Sequence, residues 1–252
     1  MGRTTPPKAG RSMMGTDLKP SIRQAVFENM PKLIAVSFVY ILIVALLSEL
    51  QFRLPGMTNA YQIYMERVAW GEPHSIVMLL SNISMLGVAM AVLMSLVFPV
   101  FHVGYMNYCL RLSREQSGSF KDIFIGMRFL YKVLLIFIIT TALVLLWSLL
   151  LIVPGVIAHY RYRQAYYILL DDPGKSAIQC IRESTHLMTR NKLDLFLLDV
   201  SFLGWHVLSM IFIALMWYFV PFSLPVLSLW ISPYTGLTYA AYYDYLLYEH
   251  AA

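Results

Sequence analysis

Charged side chains are scarce in this chain. Asp, Glu, Lys and Arg make up 13% of its 252 residues, about half the share a soluble domain carries. With a mean hydropathy of +0.64, an ordinary soluble fold is excluded and lipid is the expected solvent. Cysteine is nearly absent. Cys109 and Cys180 have no CxxC partners, so neither a disulfide framework nor a cysteine-built metal site follows, and both read as packing residues. There is no HExxH, GxSxG or GxGxxG, and the six histidines show no i, i+4 pairing; the residues therefore predict no metal, no cofactor and no enzyme. Gly174-Lys175-Ser176 imitates the end of a phosphate-binding loop, but Leu169 stands where that motif needs its first glycine. The net charge of +5 is spread over short segments between apolar runs rather than gathered in a patch, which excludes a nucleic-acid face.

What the chain has instead is long apolar runs, and about 20 apolar residues in a helix cross the ~30 Å hydrocarbon core. The pattern predicts an all-α bundle of about six spans: 33–50, 76–110 with a kink at Pro99, 133–153, 156–170, 193–220, and 226–248 broken near Pro233. Residues 1–20 have the composition of a disordered cytoplasmic tail, leaving 21–252 as one membrane domain. Residues 51–75 read as a loop with one interfacial helix, and Pro221 to Pro225 as a tight turn.

Two cytoplasmic amphipathic helices are expected between spans. One opens at a capping box on Ser119 and Asp122, with Phe120, Ile123, Phe124 and Met127 on one stripe. The other opens on Ser176 and Gln179, burying Ala177, Ile178, Ile181, Thr185 and Met188.

Lys and Arg fix the orientation. Alternate connections hold 15 of the 19, against 2 in residues 51–75, so both termini are expected in the cytoplasm of a multi-pass cell-membrane protein. The chain reads as organised around 149–172, where an apolar helix ends at a hinge, Pro154-Gly155, and a tyrosine-rich segment carrying Arg161 and Arg163 turns back.

Arginine inside the bilayer costs ~2.5 to 3.5 kcal/mol on the insertion scale and must pair, snorkel or line water. At ~1.5 Å per residue, Arg163 lies about 12 Å and Arg161 about 15 Å from the inner surface, with Asp199 about 10 Å and Asp244 about 7 Å in. Arg161, Arg163, Asp199 and Asp244 therefore form a candidate intramembrane polar cluster, read either as an ion-pair latch or as the lining of a substrate or ion path. Most of the tyrosines around it, among them Tyr160, Tyr239 and Tyr243, fit aromatic packing and interfacial belts.

The residues from LLLIVPGVIAHYRYRQAYYILLDDPGKSAIQCIRESTHL to LDVSFLGWHVL, and then SPYTGLTYAAYYDYLL, also carry a resemblance. Together they resemble an uncharacterised family of bacterial integral membrane proteins found mainly in Gram-positive species. More distantly the layout is similar to the membrane portion of some glycerophosphodiester phosphodiesterases. The likeness spans roughly 100–248 and rests on Pro154-Gly155, Arg161-Tyr162, Asp172-Pro173, Glu183-Ser184, Phe202 to Trp205 and Pro233-Tyr234. One departure is Thr189-Arg190-Asn191, where the family carries a glycine. The resemblance implies a membrane fold without an assigned activity, so no catalytic residue carries over. Two functional expectations remain: a non-enzymatic scaffold or accessory module meeting the bilayer and a membrane-protein partner at its amphipathic helices, or a small-molecule or ion transporter using the polar cluster.

Overall fold

The computed structural model describes residues 30–53, 63, 65–68, 70, 85–219 and 227–251. The expected tail at 1–20, most of the 51–75 loop, the start of the second run at 76–84 and the turn at 221–225 lie outside the described residues.

Everything regular in the described residues is helical: α1 (Met30–Arg53), α2 (Met85–Ser113), a 3-10 helix (Phe120–Phe124) running into α3 (Ile125–Arg128), α4 (Leu130–Leu150), α5 (Ile152–Tyr162), α6 (Ala165–Asp171), α7 (Ala177–Leu187), α8 (Lys192–Phe219) and α9 (Ser228–Ala251). Among the described residues four stretches are long and apolar enough to cross a membrane: Pro31–Gln51, Val88–Ser113, Leu130–Leu150 and Lys192–Leu215.

Two of the six expected spans differ. The segment at 156–170 is two short helices, α5 and α6, and the last helix falls below span apolarity because Ser, Thr and Tyr dilute it. That last helix is the centre of the bundle. No residue of α9 from Ile231 to Leu246 is exposed, and Leu237, Thr238, Ala240, Tyr242, Tyr243 and Leu246 are buried almost completely. By contrast α4, the most apolar candidate span, is the least buried inside the molecule, and everything from Leu145 to Val153 is exposed. This ordering is what a lipid solvent dictates: apolar helices face it, and hydroxyl-bearing helices are screened by their neighbours. Pro233 does not break α9; it sits in the second turn of a continuous helix.

The Ser119 capping box forms, with the Ser119 amide donating to Asp122 Oδ2 at 2.7 Å. Beyond it the expected single amphipathic helix is replaced by the 3-10 turn and one α turn, and only Ile123 of its stripe is buried, Phe120, Phe124 and Met127 being about half exposed. Gly104 explains the difference. A Cβ there would stand 1.8 Å from the Ile123 carbonyl oxygen, so this segment docks on α2 by backbone rather than by a side-chain stripe.

The second capping box also forms. Ser176 accepts from the Gln179 amide at 3.3 Å, and Gln179 Oε1 accepts from the Ser176 amide at 2.8 Å. The buried face of α7 is rotated from the expected one: Ala177, Cys180, Ile181, Ser184, Leu187 and Met188 point inward, while Ile178 is 62% exposed. Ser184 turns inward because its hydroxyl donates to the Arg161 carbonyl at 2.9 Å, one residue before α5 ends. Burial also pushes the Cys180 thiol above its ordinary pKa.

Candidate functional site

The α5–α6 junction is a loosening of one helix rather than a reversal. Arg163 (φ −62°, ψ −30°) and Gln164 (φ −81°, ψ −6°) both keep helical backbone, and the Ile168 amide donates to the Gln164 carbonyl at 3.1 Å. Tyr160 and Arg163, three residues apart, therefore share a face, and that face meets Asp199 of α8 and Tyr239 of α9.

Arg163 is ion-paired through Nη1 to Asp199 Oδ2. The Tyr160 hydroxyl donates to the same oxygen at 2.9 Å, and the Tyr239 hydroxyl donates to Oδ1 at 2.7 Å. The guanidinium also lies over the Tyr239 ring, 4.3 Å from its centroid, a favourable place for a cation. Phe196 meets Tyr160 edge-on at 6.0 Å, and Phe202 meets Tyr239 at 6.1 Å, closing aromatic walls around the pair. One positive charge, one negative charge and two hydroxyls thus satisfy each other, with both Asp199 oxygens occupied.

A second cluster lies where α2 and α6 end against the side of α9. Arg114, the residue after α2, donates through Nε and Nη2 to Asp244 Oδ1 at 2.9 and 2.6 Å, and through Nη1 and Nη2 to the two oxygens of Asp171 at 2.5 and 3.0 Å. Ser113 adds a bond to Asp244 at 3.2 Å, and the Tyr243 hydroxyl one to Asp171 at 3.0 Å. The hydrogen bonds to Asp171 foremost, then those to Asp244, hold the Arg114 guanidinium above its already high pKa against the opposing pull of burial.

Of the four cluster residues read from sequence, Arg163 and Asp199 meet. Asp244 goes to Arg114 instead of to either intramembrane arginine, and Arg161 meets no carboxylate among the described residues, its buried Nε lacking a partner. Arg114 was legible only as one of the loop cations that fix topology.

The hinge also moves. The helix ends at Leu150 and the break is Leu151, in extended backbone (φ −162°, ψ 149°). Pro154 and Gly155 lie in the first turn of α5, where a missing N–H costs nothing. Gly155 has a packing reason: a Cβ there would be 2.0 Å from Ser148 Oγ and 2.9 Å from Ser148 Cα, so glycine lets α5 close against α4.

Below the two clusters, the loop from Asp172 to Lys175 is tied down. Lys132 of α4 donates to the carbonyls of Pro173 and Lys175 at 2.5 and 2.9 Å, and Asp172 Oδ1 accepts from the Gly174 amide at 3.0 Å. Lys175 reaches Glu183 of α7 at 2.7 Å, the contact that raises its ammonium pKa. At the other end of α7, Arg190 stands at φ 77°, a left-handed backbone that glycine would take without strain. Next to it, Asn191 bonds Glu249 at 3.3 Å and accepts from the Tyr242 hydroxyl at 2.9 Å through its carbonyl, fastening the start of α8 to α9.

No curated protein and no solved structure matches this chain. Residues 148–249, which hold every member of the Arg163 cluster and both carboxylates of the Arg114 cluster, match the model of a family described as a protein of unknown function (DUF975).

Proposed function

We propose that this protein is a non-enzymatic module of a bacterial cell membrane, a scaffold or accessory subunit with both termini in the cytoplasm. The observation that carries the reading is the engagement of Asp199: Arg163, Tyr160 and Tyr239 make three bonds that occupy both of its oxygens, which suits a latch better than a site kept open for a passing substrate. The orientation rests on the bias of Lys and Arg toward alternate connections. The docking face for a membrane-protein partner is the exposed side of α7, with Gln179, Arg182, Glu183 and His186. It is held rigid by the capping box, by Lys175–Glu183 and by the Ser184 bond to α5.

The partnerless buried Nε of Arg161 supports a second reading, a small-molecule or ion transporter in which that arginine meets an anionic substrate. Two measurements separate them. A photo-crosslinker at Arg182 should capture one partner in stoichiometric yield in native membranes, and purified protein in vesicles should carry no flux under an imposed pH or ion gradient. Gradient-driven flux that R161Q abolishes, without a stoichiometric crosslink, would replace the scaffold reading with the transporter.

A further inference from the structure

Beside the Arg114 cluster the helices leave a cavity of about 260 Å³ between α2, the 3-10 turn and the end of α6. Asn107, Arg111 and Arg114 line it from one face of α2, at i, i+4 and i+7, and Gln116, Asp122 and Asp171 complete its polar wall.

Its hydrogen-bonding capacity is lopsided. The carboxylates are committed: Asp122 takes Arg111 Nη1 at 2.8 Å on one oxygen and the Ser119 amide at 2.7 Å on the other, while both oxygens of Asp171 are held by Arg114 and Tyr243. The donors are open. Arg111 uses only Nη1 among the described residues, and the side-chain amides of Asn107 and Gln116 have no hydrogen-bond partner among them. A ligand that fits must bring acceptor oxygens for the free N–H groups of Arg111, and the two amides can turn their NH2 groups to the same oxygens.

It must also bring little charge. Arg114 is shared by two carboxylates, which take four of its five N–H groups, so the largely free guanidinium edge facing the space is that of Arg111. We propose that this cavity binds a phosphodiester group through Arg111, Asn107 and Gln116. One negative charge and four oxygens match a half-used guanidinium and two amides better than the double charge of a phosphomonoester does.

The surroundings favour a lipid as its source. Arg111 lies in the last turn of a helix long and apolar enough to cross a membrane, the level at which basic residues between helices meet headgroups. Phe120, Phe124 and Met127, flanking the Asp122 wall, are about half exposed and offer an apolar bed for acyl chains. The surrounding stretch 111–132 holds five Lys or Arg against two acids, which makes the neighbourhood attractive to an anion. This site is independent of whether the module is a scaffold or a transporter.

The test is native mass spectrometry of the full chain extracted from vesicles containing phosphatidylglycerol and diacylglycerol with the same tails. Wild type should retain one phosphatidylglycerol and no diacylglycerol. N107L fills the cavity and leaves every ion pair intact; it should lower retention about fivefold, the worth of a neutral hydrogen bond plus the lost space. R111Q should lower it at least about tenfold, and N107L covers the case in which R111Q fails to fold because Asp122 loses its partner. If inorganic phosphate displaces the lipid, the phosphate-binding chemistry stands and free phosphate is a competing occupant; if it does not, the lipid is the ligand. Equal retention of diacylglycerol, or phosphatidylglycerol held as well by N107L and R111Q as by wild type, overturns the site.

Discussion

The two arginine clusters use the same parts in different proportions. Around Arg163, between α5, α8 and α9, one guanidinium meets one carboxylate, and tyrosine hydroxyls and rings supply the rest. Around Arg114, where α2 and α6 end against α9, one guanidinium meets two carboxylates. The proportions follow from depth. Inside the bundle an uncompensated charge is costly, so the count must balance and neutral hydroxyls fill the remaining valence. Where the helices end, water and counter-ions tolerate a spare negative charge.

The central helix contributes to both clusters, Tyr239 to the inner one and Tyr243 and Asp244 to the outer one. That spacing of about one helical turn sets their separation. The inner cluster falls wholly within the family match at 148–249, whereas the outer one takes its arginine from beyond it. The outer cluster thus ties the matched segment to the end of α2.

The comparison can be broken by experiment, the largest effect first. R163L or D199L alone should cost ~3 to 5 kcal/mol, because each leaves a buried charge without its partner; the readout is accumulation and thermal stability of the membrane-extracted protein. G155A should cost ~1 to 3 kcal/mol by prising α5 off α4 and moving Arg163 away from Asp199, and S148G should recover much of that loss, since its Oγ is the nearest atom in the way. R114Q should cost only about 1 kcal/mol: its side chain is little more exposed than that of Arg163, 30% against 26%, but it lies past the end of α2, where water screens such pairs. Raising the salt concentration should shrink the R114Q defect and leave the R163L defect unchanged. Salt sensitivity at Arg163, or none at Arg114, would reverse the assignment of inner and outer.

Much of this was legible in the sequence, for reasons particular residues show. The apolar runs at 33–50 and 193–220 give helices with almost those bounds, and Ser119 and Ser176 cap where their spacing says they should. The central helix was misjudged because hydropathy measures what a side chain asks of its surroundings, not what its neighbours supply. The Tyr, Thr and Ser of α9 look like a weakened span until α1, α2, α7 and α8 are seen to surround it. Pro154 was read as a stop, although a proline in the first turn begins a helix as readily as it ends one. Ile178 was assigned inward by apolarity; the hydrogen bond of Ser184 to α5, a tertiary contact invisible in one sequence, decides the rotation of α7. The pairing of Asp244 with Arg114 could not emerge from a search confined to charges inside spans, since Arg114 is the first residue after one.

The central claim is that Arg163–Asp199 is a latch and nothing more, and a double-mutant cycle measures it. Thermal stability and membrane yield would be recorded for wild type, R163L, D199L and R163L/D199L, and the same four species would be repeated with Tyr160 and Tyr239 as phenylalanine throughout, so that no hydroxyl is stranded in the double variant. The latch account predicts that each single variant is strongly depleted and that the matched apolar variant returns to near wild-type yield, still giving the Arg182 crosslink to its partner. A double variant as depleted as the singles, or single variants as stable as wild type, would contradict it.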